Sequence, residues 1–204
     1  MSFKEQFSLW LRKGKLPVLF VIIVVVGYLF WQLVLAGGSF VPDSFLKANQ
    51  QGAIIASQIV QLATDSKDVL RQINDLDRQG KYEQAIELVQ LEMKRNERVR
   101  EKAYELSVWL GQMAENLDDI EPKRATEPAL RAINFETSLI IRLLSYNANL
   151  QQLLVALDNK FTGQEVEVSE VDRLISVLNE EVVAINNINK DYLKAVDEFE
   201  RLTR

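Results

Sequence analysis

From Leu16 to Ala36 the chain reads LPVLFVIIVVVGYLFWQLVLA, a run with no charged side chain and a single strongly polar residue, Gln32. Few folds admit such a segment. About 20 apolar residues at ~1.5 Å rise cross a hydrocarbon core of ~30 Å as a helix, the form in which backbone N–H and C=O groups satisfy one another away from water. The expectation is one transmembrane helix over 16–36. It starts at Leu16 and Pro17, where a missing N–H costs little, and holds Val24 and Gly27 inside. Tyr28 and Trp31 lie toward the far headgroups, and Ala36 ends it.

The flanks set an orientation. Lys4, Arg12, Lys13 and Lys15 precede the span with only Glu5 against them, and the following twenty residues hold one basic residue, Lys47. That bias predicts a cytoplasmic N-terminus and an extracytoplasmic C-terminal domain at the cell membrane. Val34-Leu35-Ala36 before Gly37 also fits a signal-peptidase site. A signal h-region has ~7–15 apolar residues, however, so the longer run favours a retained signal anchor. In the 1–15 lead-in, Phe3, Phe7, Trp10 and Leu11 share one face of a basic amphipathic helix along the inner headgroups.

Beyond the span, 20 basic residues face 28 acidic ones, a net of about −8. An acidic surface disfavours nucleic acid, whose affinity rests on neutralising phosphates. The chain has no His and no Cys, which removes the commonest general base and metal ligand, the thiol nucleophile and disulfides. It also lacks a Gly-rich phosphate loop and a Gly-x-Ser-x-Gly elbow. The reading is non-enzymatic, with no cofactor and no metal.

Gly37-Gly38-Ser39 and Pro42-Asp43 make a hinge over 37–43, because glycine relaxes the backbone and proline cannot continue a helix. Asp43 or Ser44 then caps a helix over 44–79 with the seam Phe45, Ala48, Gly52, Ile55, Ile59, Leu62, Ser66, Val69, Ile73 and Leu76. These steps of three and four are a coiled-coil pattern. Gly80 stops it. A second helix, 81–120, keeps register from Val99 to Ile120. Its first half meets Glu92 and Asn96 within a charged run, which means either a phase drift or a polar layer. Gly80-Lys81-Tyr82-Glu83-Gln84-Ala85 resembles the middle of a tetratricopeptide repeat, but no second copy follows.

Thr126-Glu127-Pro128 opens a third helix, 127–161, with Thr126 as its cap and an early proline, and the helix bears two adjacent apolar stripes. Thr162-Gly163 ends it. Asp158 to Gly163 has the outline of a calcium loop, but Lys160 stands at a ligand position, so a plain turn is expected. Ser169 and Asp172 suggest a capping box for a fourth helix, 168–203, with the seam Val171, Leu174, Leu178, Glu181, Ile185, Ile188 and Tyr192. The fold class expected is all-α: a transmembrane helix followed by an elongated antiparallel four-helix bundle over 44–204.

Specific chemistry is left to polar residues near the seams: Ser66, Glu92, Asn96, Arg142, Asn147, Glu181 and Asn186. They form either a register-setting polar layer or a ligand pocket between helices, and nothing in their spacing selects a small molecule. Outside the seams, Ile54 and Val60 on the first helix and Ile141 and Val155 on the third make exposed stripes fit for a partner. The functional expectation is a membrane-anchored interaction module, a subunit or adaptor of a cell-envelope assembly that contacts the lipid bilayer and a protein partner or further copies of itself. The alternative is a sensory, ligand-binding bundle, similar in outline to the extracytoplasmic bundle of bacterial chemoreceptors, that signals through a separate protein.

Overall fold

The structure is a computed structural model that describes residues 40–203. The expected span 16–36, with Leu16, Pro17, Val24, Gly27, Tyr28, Trp31 and Ala36, and the 1–15 lead-in lie outside the described residues. Among the described residues no helix is long and apolar enough to cross a membrane, and all regular structure is helical.

Four long helices follow one another: α1 Asp43–Gln79, α2 Tyr82–Glu115, α3 Thr126–Phe161 and α4 Val168–Thr203. Each packs along the next, and the short connections make successive helices antiparallel. α1 and α4 approach less closely through their backbones, and large side chains bridge them, with the Phe45 and Phe199 ring centroids 6.2 Å apart.

Two of the three turns use one device. Gly80 adopts φ 72°, its N–H bonds to Asp77 O at 3.1 Å and that of Lys81 to Leu76 O at 3.0 Å. Gly163 repeats this with φ 82° and bonds from its own N–H to Lys160 O and from Gln164 N–H to Asn159 O. This double closure satisfies the last carbonyls of a helix and needs a residue free to enter the left-handed region. The α2–α3 connection differs. α2 stops at Glu115 rather than at Ile120, because Asn116 turns back, its side chain donating to Gln112 O at 2.7 Å and accepting from Ser44 at 2.5 Å. Two 3-10 turns, Leu117–Asp119 and Lys123–Ala125, and a cis Glu121–Pro122 bond complete it. Glu121 N–H bonds to Phe40 O at 2.9 Å, fastening the connection to the start of α1.

Three capping expectations fail locally. Pro42 rather than Asp43 or Ser44 precedes α1, and no side chain caps it; Ser44 is engaged by Asn116. Thr126 is already helical, with its Oγ1 unbonded, because the preceding 3-10 turn supplies the entry. Ser169 lies inside α4 and meets Glu167 at 3.4 Å instead of boxing with Asp172.

The core forms two apolar clusters. One holds Phe45, Ile55, Leu110, Ile133 and Phe199; the other holds Leu70, Val89, Leu154, Leu174 and Leu178. In α2 the buried positions run Ala85, Val89, Glu92, Asn96, Val99, Ala103, Leu106, Leu110 and Met113 in unbroken steps of three and four. The helix does not drift. Between Val89 in one cluster and Val99 in the other, the seam passes through Glu92 and Asn96, so a polar level divides the clusters.

Candidate functional site

The polar level is built from three helices. α1 contributes Ser66, α2 Glu92 and Asn96, and α3 Tyr146 and Asn147, all buried. Asn96 and Asn147 clasp each other. The Asn96 side-chain amide donates to Asn147 O at 2.9 Å and to Gln151 Oε1 at 3.1 Å, while the Asn147 amide donates to Asn96 O at 2.9 Å and to Asn96 Oδ1 at 2.5 Å. Each amide thus places both of its protons, which is what tolerates them in an apolar seam.

Glu92 is fully buried, at 0 % exposure. Its Oε2 accepts from Arg95 at 2.5 Å, and Oε1 has no partner among the described residues. Burial raises the carboxyl above its ordinary range, opposed by the Ser66 hydroxyl and the Arg95 guanidinium. Burial, with Glu92 as a nearby negative charge, also pushes the Tyr146 hydroxyl upward, so this phenol stays protonated.

Arg142 and Glu181 meet elsewhere, at the α3–α4 edge. Ser145 donates to Glu181 Oε1 at 2.7 Å, and Arg142 stands 3.5 Å from Oε2 with half its side chain in solvent. Asn186 is half-buried, with its Oδ1 unbonded. The structure therefore gathers Ser66, Glu92, Asn96 and Asn147, forms a separate pair from Arg142 and Glu181, and leaves Asn186 apart.

Sequence reasoning passed over the buried Asn74, Asp77 and Asn189 and the half-buried Glu136. Glu136 occupies the core step between Ala132 and Leu139, where desolvation pushes its carboxyl up to about 7; steps of four and three from Ala132 would have found it. Asn189, 2 % exposed, takes the seam place expected of Ile188, and its Oδ1 is unbonded. Here hydropathy chose the wrong neighbour, since Ile185, Asn189 and Tyr192 keep the phase and Ile188 is half-buried beside them. Asp77 is also buried, and Lys160 donates to both of its oxygens at 2.9 Å. Lys160 thus serves the bundle end, where Tyr82 stacks on Phe161 at 5.8 Å.

An open groove of about 580 Å³ lies where α3 turns into α4, bordered by Gln151, Asn159, Glu165, Glu167 and Glu170. Arg173 donates to both Glu170 oxygens at 2.8 and 2.6 Å and holds that carboxyl below its usual range. Among the described residues no three His, Cys, Asp or Glu side chains are grouped to hold a metal ion.

On the outside, Ile54 and Val155 are exposed as expected, and Ile141 is 62 % exposed. Val60 is the exception: it is buried in the second cluster, because it lies on the flank of α1 facing the other helices. Tyr104 and Val108 of α2, 58 % and 59 % exposed, were not anticipated. The clasp gives their level. Asn96 pairs with Asn147 and Gln151 of an antiparallel neighbour, so Tyr104, eight residues on, reaches the level of residues 139–143 of α3. Helical periodicity turns Tyr104 away from Trp109, which packs toward Gly52 of α1, while Val108 lies opposite the buried row Ala103, Leu106 and Leu110 and faces straight outward. Leu130, Ile141 and Val155 share one outward face of α3.

Comparisons with protein-family models, with curated proteins and with solved structures return no match to this chain.

Proposed function

We propose that this protein is a membrane-anchored interaction module: an elongated, antiparallel four-helix bundle held at the cell membrane by the 16–36 segment, outside the cytoplasm, as a subunit or adaptor of a cell-envelope assembly. The observation that carries the reading is the outer face of α3. Leu130, Ile141 and Val155 are large, apolar and exposed along one uncharged stripe of the helix, and α2 exposes Tyr104 and Val108. Singly scattered exposed apolar residues need no explanation, whereas an uncharged row at heptad spacing is the pattern a partner helix packs against.

The test uses the full-length chain extracted in mild detergent from its source membrane. Ile141→Glu and Tyr104→Glu are each expected to abolish recovery of a stoichiometric protein partner while leaving the helical circular-dichroism signal unchanged. A partner retained by both variants refutes this surface.

The sensory reading draws on the buried, unbonded Glu92 Oε1 and Asn189 Oδ1. It requires a small molecule that raises the melting temperature, an increase diminished in Asn147→Leu at the polar level.

A further inference from the structure

α3 carries a second heptad seam, outside the bundle. Leu130, Asn134, Thr137, Ile141, Leu144, Ala148, Gln151 and Val155 follow one another in steps of 4, 3, 4, 3, 4, 3 and 4, and none is charged. Six of the eight are exposed; Leu144 and Gln151 are half-buried because they lean toward α2. A surface helix normally fills such a stripe with Lys, Glu or Arg. Here the seam runs 25 residue steps, about 38 Å at the helical rise.

The order of side chains along the seam reads alike from both ends. Turned end for end about a point between Arg142 and Leu143, Leu130 falls opposite Val155, Asn134 opposite Gln151, Thr137 opposite Ala148 and Ile141 opposite Leu144. Large apolar meets large apolar and small meets small, while Asn134 falls opposite Gln151, whose Oε1 accepts from Asn96, and Ile141 opposite Leu144, which packs partly against the core. An unrelated partner helix requires only an apolar stripe and gives no reason for this symmetry. A two-fold interface requires it, because the same patch must complement itself. Arg142, nearest the axis in sequence, does not oppose the pairing, since it lies toward α4 within 3.5 Å of Glu181.

We propose that the outer seam of α3 binds a second copy of this chain, with the two α3 helices antiparallel across a two-fold axis at Arg142–Leu143. The proposal rests on the interaction-module reading and names the occupant of that surface. Coiled-coil seams pack in this way at a shallow crossing angle. The axis is perpendicular to the bundles, so the Asp43 ends of the two copies lie at opposite ends of the dimer.

The test is sedimentation equilibrium of the full-length protein in a density-matched mild detergent. The wild type is expected to be dimeric. Thr137→Glu and Ala148→Lys each place a like charge in both halves of the contact and are each expected to weaken the dimer roughly tenfold or more. The doubly substituted chain is expected to recover it, because each introduced carboxylate then faces an introduced ammonium of the other copy. All variants should keep the wild-type helical signal. A wild type that stays monomeric at every concentration overturns the proposal, as does a single substitution that leaves the dimer intact or a double substitution that fails to recover it. A monomeric wild type whose Ile141→Glu variant still loses a different protein partner removes the second copy and keeps the interaction module. If that variant loses nothing, both readings fall.

Discussion

Replacing Asn147 with leucine removes the two N–H groups that serve Asn96 and leaves Asn96 Oδ1 buried without its donor. Asn96 O keeps its helical bond, so one orphaned acceptor dominates the loss. An unsatisfied buried polar group costs roughly 1–3 kcal/mol and each lost hydrogen bond about 1 kcal/mol; with some packing recovered by leucine, Asn147→Leu should cost about 2–3 kcal/mol. Asn96→Leu should cost a similar amount, because it strands a buried N–H of Asn147. The double substitution behaves differently. It removes both halves of the clasp, and the remaining partner, Gln151, is half-exposed and can turn to water. Replacing both members of a buried polar pair by apolar groups is often close to neutral, so the double variant should be no less stable than either single one, a coupling of about 2 kcal/mol. In a domain of this size 1 kcal/mol corresponds to roughly 2–4 °C in Tm. Thermal unfolding of the full-length chain in mild detergent, followed by circular dichroism, should therefore show each single variant depressed by about 4–12 °C and the double variant at or above both. Additive depressions would refute the argument that mutual satisfaction of the two amides is what matters.

Two further outcomes test the charged positions. Because the folded state raises the Glu136 carboxyl from 4.5 to about 7, ionisation opposes folding. The cost is absent below about pH 4.5, grows as pH rises, and is complete above about 7, reaching at most about 3 kcal/mol and less through residual solvent contact. Glu136→Gln should flatten the Tm profile between pH 4.5 and 7 and raise Tm at neutral pH; an unchanged profile would contradict this. Lys160→Met leaves the buried Asp77 carboxylate without the ammonium that bonds both of its oxygens. It should cost about 3 kcal/mol, most of it recovered when Asp77→Asn is added, and equal Tm losses in the single and double variants would show that the charge is not the cause.

Much of the bundle was legible because helical periodicity is local. The α1 seam from Phe45 to Ile73 and the glycine stops at Gly80 and Gly163 follow from spacing and from backbone freedom, and both recur in the structure. The choice between phase drift and a polar layer in α2 was not local. Glu92 and Asn96 are acceptable on the seam only because α1 and α3 bring Ser66, Asn147 and Gln151 to them. The same limit explains Asn189 and Glu136: hydropathy ranks Ile188 above its polar neighbour, whereas phase continuity along the whole helix selects Asn189. The helix starts escaped for a related reason, since Ser44 answers to Asn116, 72 residues away.

The amino-acid order by itself determined where the four helices run and, to within a neighbouring residue, the phase of their apolar seams, because these depend on composition and period alone. Tertiary structure decided which polar residues meet, which carboxyls lose their water and which apolar stripe of α3 stays outside. Those outcomes depend on what neighbouring helices place opposite each side chain, and no single helix contains that information.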